Sequence, residues 1–127
     1  MAEARARIGT TNYETHVVTG HHRLVVDEGP ALGGKDTGPG PYELLTSALA
    51  ACTAITLRMY AERKQWPVTG VEIDVHYVAG DQPRIDRTLK IEGAVDAAQK
   101  ARMADIAERT PVTLTLKAGV PIRTSLA

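Results

Sequence analysis

Few side chains in this sequence could carry chemistry. Cys52 is the single cysteine. A thiol acts as nucleophile or redox centre only as its thiolate, which needs a cationic neighbour or a helix N-terminus to favour it. Of the four histidines, His21 and His22 adjoin Gly20 at a turn, whereas His16 and His76 stand singly in strand-like segments. No second ligand pair lies at a spacing that would complete a zinc site with His21 and His22, so no metal is expected. Gly29, Gly34 and Lys35 fall at the separations of a phosphate-binding loop. Asp36, however, stands where that motif places a magnesium-binding hydroxyl, and Pro39 and Pro41 separate Lys35 from the following helix, so no nucleotide site is expected either.

The element that must position Cys52 is a helix over residues 41–64. Pro41 suits a first helical position and Pro67 marks a stop. Glu43 in the first turn, with Arg58, Arg63 and Lys64 toward the end, complements the helix dipole. At roughly 100° per residue, Leu45, Ala48, Leu49, Ile55, Thr56 and Met59 fall within about 60° of Cys52. This predicts an apolar stripe centred on the thiol. The plain reading is then a buried core cysteine, since free cysteine packs as a small hydrophobe. Cys52 is several turns from the helix start and beyond reach of the dipole, so a reactive thiol would need an arginine, lysine or histidine from elsewhere. Ser47, Ala50, Ala51 and Thr53 make much of the remaining circumference small. A helix apolar or small around so much of its surface needs more cover than one small domain gives, which predicts a homodimer.

At 127 residues the chain is expected to be one domain, residues 1–127. Fifteen basic and fifteen acidic side chains cancel, which argues against a nucleic-acid partner. The N-terminus, MAEARARIG, lacks the apolar core of a secretory signal, and the apolar run 44–59 is shorter than a bilayer span. A soluble, cytoplasmic protein with no membrane partner and no cofactor is expected. One cysteine excludes a disulfide within the chain.

Residues 5–9, 13–19 and 22–27 read as strands punctuated by Gly20 and Gly29. The glycine- and proline-rich stretch 29–41 is a loop. After Pro67, residues 71–80 alternate with Val71, Ile73, Val75 and Tyr77 on one face. Residues 84–93 alternate with Ile85, Arg87, Leu89 and Ile91 sharing a face. Asp96 caps a second helix with Gln99 in a capping box; it runs to about Arg109 and offers Ala101, Ile106 and Ala107 to the core. Beyond Pro111, LTLKAGVPIRTSL is expected to supply closing strand. The order makes an α+β chain with antiparallel hairpins.

The LGG loop, PYELLTSALAACTAITLRMYA, the hairpin that follows and a second helix ending in a PV dipeptide together resemble the OsmC/Ohr family, closest to its general OsmC-like branch. The resemblance implies an OsmC-like fold: antiparallel sheets, a long central cysteine-bearing helix, and an intertwined homodimer with two active sites at the subunit interface. It also implies a thiol peroxidase acting on small apolar organic hydroperoxides with an external thiol reductant. Cys52 falls on the family's peroxidatic position. The resolving cysteine and the histidine of the family's CPVH motif are replaced by Thr110 and Thr113. The catalytic glutamate that follows the proline is replaced by Tyr42, with Glu43 one residue along. The arginine that holds the thiolate comes from the N-terminal strands in the family; Arg7 and Arg23 are the candidates, and the register points closer to Asn12. The alternative is a non-catalytic dimer that binds a small apolar ligand and keeps Cys52 for packing.

Overall fold

A computed structural model describes residues 2–127 and divides them into two compact units, Met1–Leu45 and Thr46–Ala127. In the first, β1 (Arg5–Ile8), β2 (Thr15–Thr19) and β3 (His22–Val26) form an antiparallel meander. Thr19 pairs with His22 across a two-residue turn, and Gly20 supplies the positive φ, +59°, that such a turn requires.

The loop after β3 is tied to a single carboxylate. Asp27 is 2% exposed. Its Oδ1 accepts the amides of Tyr13 at 3.2 Å and Glu28 at 2.7 Å; its Oδ2 accepts the amides of Lys35 at 3.3 Å and Thr37 at 3.1 Å and the Thr37 hydroxyl at 2.7 Å. The neck is closed by Asp27 N donating to Pro39 O at 3.1 Å. The result is a compact Ω-type loop that delivers the chain to Pro41. Two glycines permit its closeness: a Cβ at Gly34 would overlap the Glu28 carbonyl, and one at Gly38 that of Val25.

Helix α1 (Pro41–Lys64) begins in the first unit and runs on through the second. Its 24 residues are long and apolar enough to cross a bilayer by length and composition, which the shorter run 44–59 does not convey. The core helix of a domain meets the same description, and here Leu57 and Ala61 enter a core with Val68 and Met103. Around that cluster pack Trp66, Val71, Ile73, Leu89, Ile91 and Ile106. The hairpin β4 (Val68–Val78) and β5 (Arg84–Gly93) presents the two inward faces expected from alternation. Helix α2 (Ala97–Ala107) starts with the capping box: Gln99 N donates to Asp96 Oδ1 and Asp96 N to Gln99 Oε1, both at 2.8 Å.

Two expectations need correction. The stretch after Pro111 is not strand: α3 (Pro111–Ala118) forms there, with Thr110 as N-cap, Pro111 in its first turn, Lys117 in its last and Gly119 ending it. The β-branched residues suggested strand, but the cap and stop signals decide. Residues 120–127 form neither helix nor strand and make no hydrogen bond to any other described residue. In α2 it is Met103, not Ala101, that reaches the core beside Ala107 and Ile106.

The Asp27 carboxyl is held well below the usual carboxylate range, chiefly by the Thr37 hydroxyl and, against the opposing effect of burial, by the amides of Thr37, Glu28 and Lys35. A depressed folded-state pKa contributes stability that is complete above the unfolded value, near pH 4, and is lost as pH falls below it. Asp27→Asn should therefore lower the melting temperature at pH 7. Melting scans from pH 7 to pH 3 should show the gap from wild type narrowing below about pH 4; a gap independent of pH would contradict this role.

Candidate functional site

Cys52 is half-buried and free. The buried face of α1 is made by Leu49, Thr53, Leu57 and Ala61, a row at i, i+4 spacing whose mean direction lies about 120° around the helix from Cys52. The expected stripe centred on the thiol is thus not the face that packs inward. Ile55 is 54% and Met59 59% exposed, and Ala48 and Ala51 are also open to solvent. Cys52 stands at the margin of this outward apolar face. Ala54, Ile55, Arg58, Met59 and Val71 line an open depression of about 420 Å3 on the same unit. Arg58 is tied at its rim by Nη1 donating to Val68 O at 2.6 Å and Nε to Glu62 Oε1 at 3.2 Å.

On the inward side lies a polar cluster built around Arg87, whose side chain is 12% exposed. Its Nη1 donates to Thr53 Oγ1 at 3.0 Å and Thr113 Oγ1 at 2.9 Å, and its Nη2 to Ala107 O at 2.8 Å. Thr53 Oγ1 in turn donates to Leu49 O at 2.7 Å. Thr110 and Thr113 share a hydroxyl hydrogen bond of 2.6 Å, and both are buried. Every buried side-chain polar atom among the described residues has a partner. Glu108 Oε1 is 3.9 Å from Arg87, and its Oε2 accepts from Lys117 Nζ at 2.7 Å. Lys117 first, and Arg87 further down, lower the Glu108 pKa against burial.

The residues carried over from the family resemblance divide as follows. Arg7 and Arg23 lie on β1 and β3, and the register Arg7↔His16, Arg5↔Val18 and Val18↔Arg23 puts Arg5, Arg7, Arg23 and His16 on one face of the meander. Neither Arg7 nor Arg23 makes a side-chain hydrogen bond or ion pair among the described residues. Glu43 Oε1 accepts the Gly40 amide at 2.9 Å, so its carboxylate serves the start of α1. On one helix Glu43 and Cys52, nine residues apart, are separated by about 13 Å of rise and half a turn. Tyr42 is 59% exposed. Thr110 and Thr113 fill their positions with mutually satisfied hydroxyls. No group of three His, Cys, Asp or Glu side chains suited to a metal occurs among the described residues.

Asp27 and Arg87 are the residues that sequence reasoning passed over. For Arg87 a signal existed: a charge at an inward position of an alternating strand demands buried partners. Its partners are 34, 26 and 20 residues away, so the pattern alone does not name them.

A three-stranded meander, a long cysteine-bearing helix, a hairpin and two short helices define an α+β protein of the OsmC-like fold. The family model described as OsmC-like protein matches residues 34–125, and the chain belongs to that family. Its fold is similar to that of an OsmC-like protein from Mycoplasma pneumoniae, with a TM-score of 0.79 at 20% identity over 94% of this chain and 89% of the other. It is also similar to an organic hydroperoxide resistance protein from Legionella pneumophila, TM-score 0.69 at 22% identity over 92% and 89% of the two chains. The organic hydroperoxide resistance protein OhrB of Bacillus subtilis gives a TM-score of 0.64 at 20% identity over 94% and 92%. No curated protein matches the sequence.

Thr110 both caps α3 and completes the hydroxyl pair with Thr113. Thr110→Ala should cost about 1 to 2 kcal/mol in urea unfolding, while Thr110→Ser should cost less than half of that.

Proposed function

We propose that this chain is a one-cysteine thiol peroxidase that reduces organic hydroperoxides through Cys52 at the interface of a homodimer. The observation that carries this reading is the placement of a lone, half-buried thiol at the margin of an outward apolar face with an open apolar depression nearby. The names of the structural relatives from Legionella pneumophila and Bacillus subtilis support it.

In the reaction the Cys52 thiolate attacks the terminal peroxide oxygen. The O–O bond breaks, the alkoxide leaves as alcohol after taking up a proton, and Cys52 becomes a sulfenic acid. The chain holds no second cysteine, so an external thiol must attack the sulfenic sulfur, releasing water and forming a mixed disulfide. A second external thiol then frees Cys52 and leaves as the oxidised reductant. Arg7 or Arg23 is the group assigned, by resemblance to the family, to hold the thiolate, and neither guanidinium has a hydrogen bond or ion pair among the described residues.

The dimer is supported by two unpartnered apolar features. Ile55 and Met59 face outward from α1, and the tail after α3 exposes Val120, Ile122 and Leu126 at 62%, 87% and 99%. The family match runs to residue 125, so most of this tail belongs to the domain.

A second reading has its own support. Glu43 is engaged at the helix start and the resolving position is a threonine, which fits a non-catalytic dimer that binds a small apolar ligand.

Hydroperoxide consumption by the reduced protein, with a monothiol or a dihydrolipoyl compound as reductant, separates the two. Turnover that is lost in Cys52→Ser supports the peroxidase; turnover equal to that of Cys52→Ser with both reductants refutes it. Sedimentation at micromolar concentration should give a dimer, and Ile55→Asp should shift it toward monomer. A wild-type monomer under those conditions would remove the dimer from the proposal.

A further inference from the structure

We infer that Arg87 is a positioning residue for Cys52: through Thr53, the residue next to the thiol, it fixes which face of α1 is buried. Its bearing on catalysis rests on the peroxidase reading above; its geometry does not.

Helix α1 is apolar on two sides. Leu49, Leu57 and Ala61 pack inward, while Ala48, Ile55 and Met59 face outward about 160° away around the axis. Turning the helix to exchange these sets would bury side chains of comparable size and apolarity, so hydrophobic burial alone does not choose between the two orientations. A directional contact does. The Arg87 guanidinium lies in the interior with its donors on Thr53 Oγ1, Thr113 Oγ1 and Ala107 O. Ala107 ends α2 and Thr113 lies in α3, so neither acceptor is carried by α1. Only Thr53 among the three acceptors belongs to α1, and its hydroxyl proton is already committed to Leu49 O. Its lone pair is thereby aimed at Arg87.

Rotating α1 would withdraw that acceptor and leave a buried guanidinium N–H unsatisfied, a cost that apolar packing does not recover. Buried polar contacts are retained in such cases for the single arrangement they select rather than for net stability. Arg58 Nη1 on Val68 O adds a second directional tie just over one turn further along. With Thr53 turned inward, Cys52 is set about 100° around and 1.5 Å along the axis, at the margin where it is half-buried.

The test uses three substitutions at Thr53 and one at Thr113, in the full chain, with the rate of Cys52 alkylation by iodoacetamide at fixed pH as readout. Thr53→Val keeps the shape and removes the hydroxyl; Thr53→Ser keeps the hydroxyl and removes the methyl. Expected are an alkylation rate for Thr53→Ser within threefold of wild type, and a rate for Thr53→Val at least threefold different or split into two phases. Thr113→Val, which removes an Arg87 acceptor outside α1, should lower the melting temperature yet leave the Cys52 rate within threefold. Should Thr53→Val fail to fold, Thr53→Ala removes the same hydroxyl at a residue favourable to helix and is read in the same way. A single-phase rate within threefold of wild type for the folded hydroxyl-free variant, or a Thr53→Ser rate that departs as far as that of Thr53→Val, overturns the inference. Alkylation needs no hydroperoxide, so absent peroxidase turnover would refute the proposed activity and leave this comparison decisive.

Discussion

The second unit depends on one buried cation. Taking a guanidinium out of water costs roughly several kcal/mol, and Arg87 recovers that from two hydroxyls and a helix-terminal carbonyl rather than from a carboxylate in contact. These acceptors come from α1, from the end of α2 and from α3. One side chain thereby fixes how three helices meet the hairpin that carries it. The apolar core of Leu57, Ala61, Val68 and Met103 supplies burial, but burial is indifferent to rotation, whereas the fork of donors is not.

The first unit repeats the principle with the sign reversed. Asp27 collects four amides and a hydroxyl where Arg87 collects acceptors. Asp27 makes no ion pair among the described residues, and Arg87 has Glu108 only at 3.9 Å, so both are stabilised in direct contact by dipoles of the backbone and of threonine. A chain of zero formal net charge thus keeps two interior charges held mainly by neutral groups, each organising its own part of the fold. Threonine is the common partner: Thr37 serves Asp27 as donor, and Thr53 and Thr113 serve Arg87 as acceptors. A hydroxyl can act either way.

Most of the elements were legible from periodicity and punctuation. The limits of α1, the paired faces of β4 and β5 and the Asp96 capping box all follow from local signals, because each depends on residues close in sequence. The readings that failed depended on distant ones. The buried stripe of α1 is not readable locally, because a helix apolar on two sides has no preferred face until Arg87, 34 residues on, meets Thr53. The threonines and valine after Thr110 suit strand as well as helix, and the Thr110 cap with Pro111 in the first turn decides for helix. For the site, Cys52 was legible as the one thiol, and family resemblance supplied Arg7 and Arg23. That Glu43 is engaged by the Gly40 amide becomes visible only with the helix start in place.

The tail after α3 bears on how the chain behaves at high concentration. A segment with open amides and carbonyls and three exposed apolar side chains can, where it extends, act as a template on which other chains add without limit. This one interrupts its own template: Pro121 offers no amide hydrogen, and Arg123 places a charge between Ile122 and Leu126. Pairing at the tail can therefore start but is hindered from propagating, and the same few residues that could join one chain to another also limit how far such joining spreads.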